Sequence, residues 1–257
     1  MTDTAHSRIA EIVDLTRRAG DPEREFAILA EGNTSLRTAD DRMLVKATGT
    51  SMSEAGPESF VEVDLPSYWA AIDEGPEGDD EFVRELFSRA TTWGRGRPSV
   101  ESVLHAVCQR LDGVDAVVHT HPVPVNALLC SDRADLLIEG SLFPDQIVVM
   151  GRHPLMVPYI DPGLPLARAV SNALHEHIDR HGERPRVIYL RNHGVFALAG
   201  SAEEALSITQ MTVKCAEVLG AALSIGGPVF LSDAHASRID TRPDELLRRT
   251  MLAGEVG

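Results

Sequence analysis

Ala116-Val117-Val118-His119-Thr120-His121-Pro122 is the stretch from which the rest of the chain can be read. Three small or β-branched apolar residues form a short buried strand, and two histidines follow it two positions apart. Residues i and i+2 of a strand project to the same face, so His119 and His121 can turn their imidazoles toward one point. Pro122 has no N–H to give a ladder and ends the pairing. Taken alone, the pair fits a shared cation and two hydrogen-bonded core histidines equally well.

Upstream, residues 100–111 have helical periodicity, with Val103, Leu104 and Val107 apolar. Glu101 opens this segment. A first-turn carboxylate complements the helix dipole, but this one lies 18 residues ahead of His119, across one helix and one turn, and can fold back onto it. Residues 34–37 and 43–47 read as strands joined across Ala39-Asp40-Asp41, a hairpin. Two small polar loops, Gly32-Asn33-Thr34-Ser35 and Thr48-Gly49-Thr50-Ser51, could present N–H groups and hydroxyls to a phosphate. Each alone is an ordinary turn, and neither has a Walker or G-x-G-x-x-G pattern.

Downstream, strands at 187–190 and 195–198 enclose Arg191-Asn192-His193-Gly194. A histidine beside a glycine at a strand junction suits a third ligand, because glycine permits close approach; otherwise it is a surface-turn residue. Three histidines with an open fourth position make the catalytic form of a zinc site. Ile9, Ile12, Val13 and Leu15 set a helix that stops at Gly20, residues 167–178 are helical, and Ser201 with Glu204 forms a capping box opening a helix to Leu223. Helices and strands mix throughout, so the class is α/β, and the hairpin argues against a purely parallel sheet.

His175-Glu176-His177 is a control. It lies in a helical segment, where i and i+2 point roughly 200° apart. His177 and His181 share a helix face, but Asp179, Arg180, Gly182 and Glu183 around them indicate a solvated helix end. The acidic run 73–81 reads as a solvated loop between helices.

The chain has 257 residues, 43% hydrophobic and 25% charged, without repeats or linkers, and reads as one domain spanning 1–257. A net charge of −15 excludes general binding to nucleic acid or anionic membranes, which needs a positive field. Three scattered cysteines form no disulfide framework or thiolate zinc site. The polar N-terminus lacks a secretory apolar core, and no window approaches a membrane span. A soluble cytoplasmic protein is the expectation.

Taken in order, EGNTS from Glu31, LVKATGTSM from Leu44, PSVESVLHAV from Pro98, AVVHTHPVPVNAL from Ala116 and RNHGVFALAG from Arg191 closely resemble the class II aldolase/adducin family. The resemblance runs from about Glu31 to Leu223. It implies a three-layer α/β/α sandwich around a mixed, largely antiparallel central sheet. It places metal ligands on Glu101, His119, His121 and His193, the catalytic carboxylate on Glu101, and phosphate-binding groups on Gly32, Asn33, Thr48, Gly49 and Ser99. Val100 stands where the family usually has a second serine, so one hydroxyl of the phosphate cradle is missing. Residues 142–148 and the VKATGT stretch look most like the aldolase module of bifunctional aldolase/dehydrogenases.

The activity implied is a zinc-dependent aldolase, with another divalent ion as a substitute. It would reversibly cleave a deoxypentulose or deoxyhexulose 1-phosphate to dihydroxyacetone phosphate and an aldehyde. A sugar-phosphate 4-epimerase, a dehydratase or a sugar-acid phosphate decarboxylase would use the same chemistry, and Asp145 and Tyr159 are candidates for the second acid/base. A non-enzymatic adducin-like module is disfavoured because the three histidines and Glu101 are all present. A Schiff-base route needs a lysine, and the chain has only Lys46 and Lys214. Lys214 sits mid-helix, and Lys46 beside the Thr48 loop better suits an anionic partner. The family also implies a homotetramer.

Overall fold

A computed structural model describes residues 3–76 and 80–252. Its strands are β1 (Asn33–Ala39), β2 (Arg42–Lys46), β3 (Phe60–Asp64), β4 (Thr91–Trp93), β5 (Ala116–Thr120), β6 (Leu155–Val157), β7 (Val187–Leu190) and β8 (Gly194–Ala199). They form one sheet in the order β4-β3-β2-β1-β5-β8-β7-β6. Every pairing is antiparallel except β6 with β7. The expected hairpin is present: Ala39 pairs with Arg42 across Asp40-Asp41.

The described helices are α1 (Asp3–Ala19), α2 (Leu65–Glu74), α3 (Asp80–Ala90), α4 (Ser102–Cys108), α5 (Val123–Leu129), α6 (Leu136–Glu139), α7 (Pro144–Met150), α8 (Leu164–His181), α9 (Ala202–Ser224), α10 (Asp233–Thr241) and α11 (Pro243–Leu252). Side-chain alternation sorts them onto two faces. Val118 and Val195 share one core with Ile12 of α1, Leu128 of α5 and Leu206 of α9. Val117, Phe196 and Leu198 share the other with Tyr68 of α2, Val103 of α4 and Leu174 of α8. The result is the three-layer α/β/α sandwich around a mixed sheet. Because both faces of β5, β7 and β8 are covered, these strands are apolar runs rather than alternating ones.

The structure differs from expectation in three places. The α-helix of the 100–111 segment is confined to α4, with Glu101 at its N-cap and Gln109 at its C-cap. The acidic run 73–81 starts inside α2 and ends inside α3, Asp73 being paired to Arg110 at 2.8 Å; its residues 77–79 lie outside those described. His177 is buried rather than solvated, although Asp179, Arg180, His181, Gly182 and Glu183 around it are exposed as expected. His153 stacks on His181 at 4.1 Å, and His181 lies 4.6 Å from His177. Among the described residues no helix is long and apolar enough to cross a membrane.

Candidate metal centre

β5 carries His119 inside the strand, and His121 follows one residue after its end. The β7–β8 turn brings His193 to the same point, with Asn192 in the left-handed region at φ 54°, a conformation asparagine tolerates. Asn126 Nδ2 donates to His193 O at 3.0 Å and holds the turn. Gly194 explains the His-Gly pair, since a Cβ there would collide with the His121 ring and lie 2.7 Å from Thr120 O. Gly32 has φ +67°, and a Cβ on it would come within 2.8 Å of His119 O.

Four groups converge: one ligand atom each from Glu101, His119, His121 and His193, all within 4.8 Å of one another. Glu101 Oε1 lies 2.8 Å from His193 Nε2 and 3.1 Å from His119 Nε2, and the Nε2 atoms of His119 and His121 are 3.0 Å apart. His119 Nδ1 donates to Val195 O at 3.0 Å, which turns a bare Nε2 toward the cluster. Two ring nitrogens and a carboxylate oxygen at such distances repel unless positive charge sits among them. One proton relieves a single contact, whereas a divalent cation satisfies all four donors. Three imidazole nitrogens and one carboxylate suit zinc and other first-row divalent ions.

Burial alone would raise the Glu101 carboxyl. Positive charge among the ring nitrogens, supplied by a proton or a cation, outweighs it and holds the carboxyl well below its usual range. His121 is pushed down to about 3 by burial and by His119, against the opposing pull of Glu101. It is therefore neutral near pH 7, the form a ligand requires.

Of the expected phosphate residues, Asn33 and Ser99 are joined to Glu101. Asn33 Nδ2 donates to Glu101 Oε2 at 2.7 Å and to Ser99 Oγ at 3.4 Å, and Glu101 N donates to Ser99 Oγ at 3.3 Å. Gly32 precedes Asn33 at the start of β1. Thr48 and Gly49 sit on the exposed loop after β2, tied to the segment ahead of Ser99 by Thr48 N donating to Arg97 O at 2.9 Å. Val100 is 43% exposed. Lys46 is buried on β2; burial lowers its pKa and the charge of Glu101 opposes that. Lys214 is spent on the Phe143 ring, 5.2 Å away.

Neither candidate for the second acid/base belongs to the converging group. Asp145 is in the first turn of α7. Tyr159 is 56% exposed and its hydroxyl donates to Asp161 at 3.0 Å. Sequence reasoning misses His105, fully buried and bonded to Ser35 Oγ at 2.8 Å and to Asn33 Oδ1. Its signal is its position four residues after Glu101, one helical turn on the same face.

Residues 10–219 match the family model for the class II aldolase and adducin N-terminal domain. The chain belongs to this family. A 3-oxo-tetronate 4-phosphate decarboxylase from Haemophilus influenzae is 26% identical over 82% of this chain and 84% of its own. YgbL from Escherichia coli shares the fold, with a TM-score of 0.69 and 20% identity over 91% of this chain and 98% of its own. The L-fuculose-1-phosphate aldolase of Thermus thermophilus does so with a TM-score of 0.61 and 23% identity, over 87% and 100%. Class II aldolases are divalent-metal-dependent enzymes acting on sugar phosphates, and the Glu101/His119/His121/His193 cluster of this member has the matching donor set.

Proposed function

We propose that the protein is a zinc-dependent lyase that breaks a C–C bond next to the carbonyl of a phosphorylated sugar or sugar acid, leaving dihydroxyacetone phosphate. The observation that carries this is the convergence of Glu101 with His119, His121 and His193. A divalent ion held by these four groups supplies Lewis acidity to the substrate's carbonyl oxygen. In the lyase direction Glu101 would first take up a proton from water and pass it to the carbon that loses its bond; in reverse it takes that proton from the carbon. Its resting carboxylate form suits the second task. Asn33 orients Glu101 through its amide, while Gly32, Thr48, Gly49 and Ser99 would receive the phosphate with Lys46 supplying positive charge in an acidic protein.

Two leaving groups are compatible with this chemistry. Loss of CO₂ from 3-oxo-tetronate 4-phosphate and aldol cleavage of a ketose 1-phosphate both leave dihydroxyacetone phosphate. Decarboxylation is favoured by the similarity to the Haemophilus decarboxylase along most of both chains. The resemblance of the 142–148 and VKATGT stretches to aldolase modules favours the second reading.

The test is zinc-loaded protein incubated with 3-oxo-tetronate 4-phosphate and with fuculose and rhamnulose 1-phosphates, following CO₂ and dihydroxyacetone phosphate separately. CO₂ release with stoichiometric triose phosphate is the expected result. Triose phosphate from a ketose 1-phosphate alone would establish the aldolase reading, and none from any of them would defeat both.

A further inference from the structure

Glu101, His105 and Gln109 are spaced four apart and lie along one face of α4 and its caps. Asn33 and Ser35 are two apart and lie on one face of β1. The two rows interlock in the order Glu101, Asn33, His105, Ser35, Gln109, with a hydrogen bond at every step. His105, Gln109 and Ser35 have no exposed surface, and Asn33 is 2% exposed.

The direction of each bond follows from the carboxylate end. Glu101 only accepts, so the NH₂ of Asn33 faces it and donates to Oε2 at 2.7 Å. The Asn33 oxygen is therefore the atom facing His105, and His105 Nε2 must carry the hydrogen that reaches it. A neutral imidazole has a single N–H, so Nδ1 accepts, and Ser35 donates to it at 2.8 Å. Ser35 Oγ then accepts from Gln109 Nε2 at 2.8 Å. Gln109 Oε1 is left buried without a partner, consistent with its amide being turned to give Ser35 a donor. Burial pushes His105 down to about 3, so the ring has one proton at neutral pH.

We infer that His105 is a positioning residue: its Nε2–H tautomer locks the amide of Asn33, which holds Glu101 Oε2 and so aims Oε1 at His119 and His193. This rests on Glu101 serving as the metal-binding carboxylate proposed above. His105 touches neither substrate nor metal and acts entirely through Asn33. Without its N–H the Asn33 amide could rotate and present its oxygen to the carboxylate, turning an attraction into a repulsion.

The test combines ¹⁵N NMR of the histidine rings with Zn²⁺ affinity measured by chelator competition. His105 in the wild type should show the neutral Nε2–H form at pH 7, a measurement that needs no variant. His105→Phe keeps a ring against Phe196, 5.4 Å away, but removes both nitrogens. It should weaken Zn²⁺ binding by roughly ten- to a hundred-fold, the range for lost partners of metal ligands. His105→Gln, which returns a donor, should recover most of that loss, and His105→Phe should add little to Asn33→Ala. An Nδ1–H or charged ring, or a folded His105→Phe that binds Zn²⁺ like the wild type, would overturn the inference. Should the wild type itself bind no Zn²⁺, the proposed function fails, while the tautomer still decides the relay.

Discussion

His119 has no exposed surface; its Nδ1–H is held by Val195 O and its ring lies on Phe196 at 4.1 Å. Nothing but Nε2 is left to face the cluster, so removing this ring removes a ligand that no neighbour can replace. His119→Ala should lose the bound divalent ion by elemental analysis, and His177→Ala should keep it. Metal retained by the His119 variant would contradict the assignment. The strand spacing of His119 and His121 is legible from the sequence because it depends only on the period of a strand. The role of His105 is not. Its partners Asn33 and Ser35 are 72 and 70 residues away, and only the packing of α4 against β1 brings them together.

Local rules govern the elements well where the deciding contacts are short-range. The hairpin turn and the start of α9 are examples. Ser201 Oγ accepts from Glu204 N at 3.2 Å as a capping box requires, but Glu204 reaches back to Gly200 N at 2.9 Å rather than to the cap residue, and also pairs with Arg186 at 3.0 Å. Ser201→Ala should therefore lower stability by about 1 kcal/mol in denaturant unfolding, the ordinary cost of a lost cap, and leave metal binding unchanged. A loss near zero would mean that Glu204 anchors the helix start alone. Periodicity overextends the helix at 100–111 because it continues through residues that tertiary contacts hold as turns. His177 misleads for a different reason: its charged neighbours are exposed as they suggest, and only its own ring is buried.

The chain's order along the sheet is what assembles the site. β1 and β8 flank β5, so segments near 33, 119 and 193 become neighbours, and α4 lays Glu101 across them. The fold's class and the convergence of Glu101 with three histidines are readable in the sequence, while Asp145 and Tyr159 lie outside that convergence in this chain. Burying neutral histidines also sets the response to acid. His177 is pushed to about 4 by burial and by His181, His153 and Arg180, from an ordinary value of 6.5. Below pH 6.5 the unfolded chain binds a proton that the folded one refuses, so stability falls as pH drops toward 4. The melting temperature of metal-free His177→Leu should fall less steeply over that window than that of the wild type. Parallel curves would mean that His177 contributes nothing to acid sensitivity.

The proposed chemistry turns on Glu101 moving the proton at the reacting carbon. Hydrogen exchange of dihydroxyacetone phosphate in D₂O isolates that step from bond cleavage and from the choice of leaving group. Zinc-loaded wild type should exchange one carbon-bound hydrogen, followed by NMR. Glu101→Gln keeps its size and most hydrogen bonding but cannot take a proton. At saturating Zn²⁺ it should still load metal, though more weakly than the wild type, and slow exchange by roughly a hundred- to ten-thousand-fold. A metal-loaded Glu101→Gln protein that exchanges at the wild-type rate would remove Glu101 from the chemistry.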